Sequence, residues 1–348
     1  MQYFRSDVLE LAGYKPGEQP QTQKIIKLNT NENPYPASPK VAQAVTAALE
    51  SGLMRYPDPM GHAFRLRAAE VLGVEPDWIL CGNGSDDLLT ILTRALVGEN
   101  QRLRLPYPSY ILYRTLAQIQ GARWEEVPFD ENWLPSPAFQ ENADDLRLAF
   151  LPNPNSPTGT VVPPEAVLEL AERLPCPLVV DEAYVDFAEQ HCVSLVSRCD
   201  KIVVLRTLSK SYALAGLRFG YLVAQPSLVE QLAKVKDSYN CDALSIAGAA
   251  AAIDDQDWLR ANVAQVVATR QRMFLELQAM GFEVIPSQAN FLWCEHPQAA
   301  AKMLYERLKE NGILVRYMNY ENWREGLRIS VGSDSQVDAC LSLLKTWV

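Results

Sequence analysis

Apolar and polar positions alternate in blocks along most of the chain, and the blocks predict helices and strands in turn. Residues 39–51 are alanine-rich and amphipathic, with Gly52 where a helix C-cap belongs. A strand over 78–81 leads into a helix over 85–97, and further strands are predicted at 102–105, 123–127 and 148–151. The runs Leu178-Val179-Val180 and Ile202-Val203-Val204-Leu205 are apolar at every position, as in strands covered on both faces. This alternation predicts an α/β fold with a mostly parallel central sheet covered by helices.

The texture changes near residue 245. Helices are predicted at 247–253 and 258–280, the second long enough to bridge two domains, followed by strands at 282–285, 289–294 and 327–331. Helices at 299–310 and 333–347 separate or follow these strands. The expected organisation is a large domain over 31–245 and a smaller α/β C-terminal domain made of 246–348 with an N-terminal arm, 1–30, packed on it. There is no internal repeat and no low-complexity segment.

Composition narrows the class. Of 348 residues 48% are hydrophobic, which is enough for a large buried core and excludes a disordered or fibrous chain. Lys and Arg number 32 against 42 Asp and Glu, and a net charge of −10 argues against a nucleic-acid or anionic-membrane binder. No apolar run approaches the roughly 20 residues of a bilayer span. The first seven residues contain no apolar stretch of the signal-peptide kind, so a cytoplasmic location is expected. Seven cysteines without a C-x-x-C pair point to neither structural zinc nor a disulfide framework. His62, His191 and His296 are the only histidines, so a histidine-centred triad or metal site is not expected.

Four clusters fall at predicted strand ends, where open α/β sheets place their ligands. Gly82-Asn83-Gly84-Ser85-Asp86-Asp87 lies between a strand and a helix, and a helix start offers free N–H groups to an anion. Alone it is equally an ordinary strand-to-helix turn. Asn153-Pro154-Asn155-Ser156-Pro157-Thr158-Gly159 reads by itself as a structural turn. Asp181-Glu182-Ala183-Tyr184 puts a carboxylate at the mouth of a buried strand, costly unless a cation or donor meets it; a helix cap or surface ion pair is the plainer reading. In the fourth, Arg206 to Gly220, Lys210 is set among small, hydroxyl and apolar residues, with Arg218 eight positions on. A lysine in such surroundings can act as a nucleophilic amine, and the hydroxyls and arginine can hold a phosphate. Taken together, these are the parts that hold pyridoxal 5'-phosphate.

With these motifs the sequence resembles the class I/II aminotransferases of PLP fold type I. Asn29-Thr30-Asn31-Glu32-Asn33-Pro34, Arg55-Tyr56-Pro57 and Gly326-Leu327-Arg328-Ile329-Ser330-Val331-Gly332 extend the match over nearly the whole chain. The resemblance implies that Lys210 holds the cofactor covalently and then shuttles the substrate proton. It implies that Asp181 pairs with the ring nitrogen, that Tyr184 and Asn155 bond the phenolic oxygen, and that Tyr110 stacks on the ring. Ser85, Asp86, Ser209 and Arg218 would cradle the phosphate, and Tyr56 would reach it from the other subunit of a homodimer. Arg328 would bind the substrate carboxylate and Arg316 a substrate phosphate, with Tyr14 lining the pocket.

Two departures stand out. The loop reads Asn155-Ser156 where the family often has two asparagines; the contact is expected to survive through Asn155. Ser238-Tyr239-Asn240-Cys241 stands where the family usually begins with proline, and no role is assigned to it. A decarboxylase or an aromatic aminotransferase of the same fold shares much of the Lys210 region. A non-catalytic binder on this fold would have no need of Lys210 together with Asp181.

Overall fold

The computed structural model describes residues 3–5, 8–9, 11, 18 and 25–348. Its larger sheet is built from β2 (Ile79–Gly82), β3 (Arg102–Tyr107), β4 (Arg123–Pro128), β5 (Leu146–Pro152), β6 (Leu178–Asp181), β7 (Ile202–Thr207) and β8 (Gly220–Val223). The spatial order is β2-β8-β7-β6-β5-β3-β4. Strands β7, β6, β5, β3 and β4 run parallel, while β8 is antiparallel to both of its neighbours. The continuous apolar runs sit at its centre because both faces are covered. Leu178 and Val180 pack with Phe64, Val167 and Ala249 on one side, and Val179 packs with Leu88, Leu116 and Val229 on the other. Alternate residues of one strand thus feed two cores, each fully buried aliphatic side chain contributing roughly 1.5–3 kcal/mol.

The second sheet comprises β9 (Glu283–Ile285), β10 (Phe291–Glu295), β12 (Arg316–Asn319) and β13 (Glu325–Ser330), antiparallel throughout in the order β12-β13-β10-β9. Helices Gln256–Ala279, Ala301–Glu310 and Asp334–Lys345 cover it through Val266, Leu304 and Leu341. Near the N-terminus β1 (Ile26–Lys27) pairs in parallel with β11 (Ile313–Leu314), and Leu28 enters the same core.

Four helices, His62–Leu72, Leu112–Gln120, Pro164–Arg173 and Pro226–Ala233, and the strands β1, β8, β11 and β12 escaped the hydrophobic pattern. Strand β8 follows directly on the Lys210 cluster, the helix Pro226–Ala233 is only eight residues long, and β12 is half-exposed and polar. The helix predicted from 247 begins at Ala243, because the Asp242 carboxylate caps the N–H groups of Leu244 and Ser245.

Candidate active site

Parallel strands bring their C-terminal ends to one edge, and three chemistry-bearing segments meet there because β5, β6 and β7 are adjacent. A cavity of about 1130 Å³ opens at this edge and extends to the second sheet. Ser85, Asp86, Tyr110, Asp181, Tyr184, Ser209, Lys210 and Arg218 line it from the large sheet, and Arg316 and Arg328 from β12 and β13. Residues far apart in sequence, predicted from separate motifs, thus share one space.

Asp181 ends β6 and is 5% exposed. Tyr113 donates its hydroxyl proton to Asp181 Oδ2 at 2.7 Å, and the Ala183 N–H donates to Oδ1 at 3.1 Å. Burial pushes its pKa up to about 6, against these two donors. No cation pairs with Asp181 among the described residues, so the buried carboxylate is built to meet one. Next along the strand, Glu182 is locked in a buried ion pair with Arg206 at 2.8 Å, which fixes the strand ends that carry Asp181 and Lys210. Losing one partner of such a pair costs about 3–5 kcal/mol.

Lys210 Nζ donates to the Thr30 carbonyl at 3.2 Å and lies 5.7 Å from the centroid of the Tyr184 ring. Its neighbour Ser211 donates to the Asp186 carboxylate, anchoring the loop. The helix Ser85–Leu96 starts at the cavity, where its first N–H groups have no partner within the helix. Glycine is required around it. A Cβ on Gly84, at φ +79°, would stand 2.6 Å from Arg218 Nη2, and one on Gly220 would stand 2.6 Å from the Ser85 nitrogen. Arg218 itself adopts φ +56°, with Nη2 3.5 Å from Asp86 Oδ2.

At the far end, Arg316 and Arg328 stand directly opposite each other in the β12–β13 register. Arg328 Nη1 donates to Ser156 Oγ at 3.0 Å and Nη2 to the Asn29 carbonyl at 3.1 Å. Its buried Nε has no partner.

Whole-chain similarity agrees with this geometry. The profile of the family described as aminotransferase class I and II matches residues 23–344. The chain belongs to this aminotransferase family. It is 55% identical over 346 residues to a histidinol-phosphate aminotransferase of Rhodopirellula baltica, covering 99% of this chain and 95% of the relative. A histidinol-phosphate aminotransferase 1 of Trichormus variabilis is 46% identical, covering 96% and 95% of the two chains. Among solved structures, the histidinol-phosphate aminotransferase of Sinorhizobium meliloti in complex with pyridoxal-5'-phosphate superposes with a TM-score of 0.89 at 26% identity, covering 99% and 97%. The fold is PLP fold type I.

The residues present fit the cofactor of this aminotransferase family. A buried carboxylate lacks a cation, an amine stands in the same cavity, and a helix start with an arginine is packed so closely that glycine alone fits beside it. Asn155, buried next to the cavity-lining Pro154 and Ser156, donates its amide to the Pro108 carbonyl at 3.1 Å and to Thr158 Oγ1 at 3.0 Å, bracing the loop, while its buried Oδ1 meets no partner among the described residues. Ser156 lines the cavity. Tyr56 is outside the cavity of its own chain, 80% exposed and stacked on Tyr239 at 4.4 Å. Tyr14 lies outside the described residues. Sequence reasoning missed Tyr113, whose only signal is its place three residues after Tyr110. It also missed Asn240, which donates to Asp87 Oδ2 at 2.9 Å and ties the 238–241 segment to the helix start.

Proposed function

We propose that this aminotransferase exchanges the amino group between L-histidinol phosphate and 2-oxoglutarate, giving imidazole acetol phosphate and L-glutamate, a step of histidine biosynthesis. The observation that carries the reading is the Arg316–Arg328 pair. Both side chains stand on directly opposed positions of neighbouring strands and line the cavity, so two guanidinium forks can meet one doubly charged anion there. Histidinol phosphate carries a phosphate monoester where glutamate carries its α-carboxylate, so one pair of forks serves both substrates. The names of the relatives support the same substrate.

Pyridoxal 5'-phosphate, when bound, supplies an electron-accepting ring that makes the substrate α-proton acidic. In this reading Lys210 Nζ removes that proton and returns it, which is general base and acid work by one amine. Asp181, steadied by Tyr113, keeps a proton on the ring nitrogen, and its own penalty of burial is relieved by that positive charge. Tyr184 would donate to the ring oxygen and Tyr110 would flank the ring. Ser85, Asp86, Ser209 and Arg218 hold the phosphate through N–H, hydroxyl and guanidinium donors. Arg328 is pre-oriented by Ser156 and the Asn29 carbonyl, so it meets the substrate anion without reorganising.

The same reading takes 31–245 as the cofactor-bearing domain, with 1–30 and 246–348 as the smaller one. It makes the enzyme a cytoplasmic homodimer in which Tyr56 reaches the partner's cofactor phosphate. Supporting it, Tyr56 and Tyr239 stack as an exposed aromatic pair, and Met54, two residues before Tyr56, is also exposed. Among the described residues no helix is long and apolar enough to cross a membrane. The decisive experiment adds candidate amino donors to the holoenzyme and follows the cofactor absorbance. Histidinol phosphate and glutamate should each bleach it, and absence of turnover with histidinol phosphate would overturn the substrate. Release of carbon dioxide would instead identify a decarboxylase. A fully active monomer in sedimentation would overturn the shared site.

A further inference from the structure

The Asn29–Pro34 motif has no role in the chemistry above beyond two backbone carbonyls, yet one of its side chains is buried against Tyr184. Asn31 is 1% exposed and adopts φ 57°. Its backbone N–H donates to Ser330 Oγ at 2.9 Å, and its carbonyl accepts from Asn290 Nδ2 at 2.9 Å. Ser330 is 2% exposed, and its single hydroxyl proton goes to Asn31 Oδ1 at 2.9 Å. That contact fixes the amide. The reverse orientation would face two N–H donors toward Ser330 Oγ and leave a buried hydroxyl proton without an acceptor, at a cost of about 1–3 kcal/mol. Asn31 Nδ2 therefore lies toward Tyr184, 3.0 Å from its Oη.

An amide nitrogen only donates, so Tyr184 Oη accepts at this contact. No other hydrogen-bond partner meets that hydroxyl among the described residues, and Tyr184 lines the cavity. Its ring is held edge-on against Phe291, with centroids 5.0 Å apart. We propose that Asn31 is a positioning residue, wired by Ser330, that turns the Tyr184 hydroxyl into an obligate donor toward the cavity. The proposal rests on the reading above that places Tyr184 against the ring oxygen of the cofactor. A donor locked in this direction favours the anionic form of that oxygen before any substrate arrives.

The test is a pH titration of the absorption band of bound pyridoxal 5'-phosphate in the holoenzyme, with cofactor affinity measured alongside. Loss of a donor to an anionic oxygen moves the transition upward, and Tyr184→Phe should shift it by about one unit or more. In Asn31→Asp a carboxylate accepts the Tyr184 proton, which removes the donor from the cavity. It should reproduce most of that shift, and the double variant should move no further than the larger single one. Ser330→Ala removes both the acceptor of the Asn31 backbone N–H and the donor that fixes its amide, freeing the amide to turn, so a smaller upward shift is expected even if Asn31→Asp fails to fold. A shift in Tyr184→Phe with wild-type behaviour in the foldable Asn31 and Ser330 variants overturns the proposal and leaves the cofactor reading intact. Additive shifts in the double variant also overturn it, since they report only the added charge. An unchanged titration in Tyr184→Phe overturns the placement of Tyr184, and the proposal with it.

Discussion

The two ends of the cavity are built differently. At the proposed cofactor end the carboxylate and lysine segments follow the tips of parallel strands and are braced by buried or part-buried contacts: Tyr113 on Asp181, Arg206 on Glu182, Ser211 on Asp186. At the substrate end two arginines lie on an antiparallel pair of strands in the other sheet, reached by few bonds from the large one. The Tyr107 hydroxyl donates to the Glu321 carbonyl at 2.7 Å, and Arg328 donates to Ser156. On the proposed function, the first region is a socket for a group that stays and the second a half-exposed clamp for ligands that come and go. Substitutions at the two ends should therefore fail in different ways.

The largest loss is expected at the socket. Lys210→Ala should remain folded and lose about 10²–10⁴-fold in turnover, the range of general acid–base catalysis. Borohydride treatment followed by peptide mass mapping should then fix no cofactor to the chain. Cofactor fixed at another lysine would move the chemistry elsewhere.

Next comes a stability effect of the same socket. Asp181 is raised from 3.8 to about 6 by burial, so the folded apoprotein binds this proton more tightly than the unfolded chain does. Its stabilising contribution is fully present below pH 3.8 and is lost as pH rises through 6, a difference of about 3 kcal/mol. Apo-Asp181→Asn should thus gain on the apo wild type as pH rises from about 4 to 7 in chemical denaturation, while the holo variant gains nothing. A parallel pH dependence in both apoproteins would show that the carboxylate is not desolvated.

The clamp should give smaller and selective losses. Arg328→Ala should weaken glutamate and histidinol phosphate alike by about 1.5–3 kcal/mol, roughly ten- to a hundredfold. Arg316→Ala should weaken histidinol phosphate more than glutamate, because only the phosphate can carry two negative charges. Equal losses for both substrates in Arg316→Ala would remove its phosphate role.

This contrast also explains what the sequence made legible. The socket could be read because each motif directly follows a continuous apolar run, and the adjacency of parallel strands does the rest. The clamp was legible only as isolated arginines: β12, Arg316-Tyr317-Met318-Asn319, has no apolar alternation, so nothing announced that it pairs with β13. Tyr113 and Asn31 were hidden for another reason. Each acts through a hydrogen bond to a residue 68 or 153 positions away, and no local pattern encodes such a partner.

The smallest expected effect is the one that separates neighbouring residues. Resemblance puts Asn155 at the cofactor and gives Ser156 no role, while the two side chains are held by different contacts. Asn155 spends both amide hydrogens inside its loop and also closes it through the backbone, its N–H donating to the Thr160 carbonyl at 2.8 Å. Ser156 faces the cavity with its hydroxyl accepting from Arg328. Ser156→Ala removes one hydrogen bond from a guanidinium that keeps its bond to the Asn29 carbonyl, a loss of about 1 kcal/mol or roughly fivefold. It should appear as a raised KM for both substrates, with cofactor affinity and thermal stability unchanged. Asn155→Ala should do the converse, lowering the melting temperature as the loop loses its brace while the cofactor spectrum keeps its pH profile. If Asn155→Ala instead shifts that profile at unchanged stability, the amide reaches the cofactor when it is bound, as the resemblance implies.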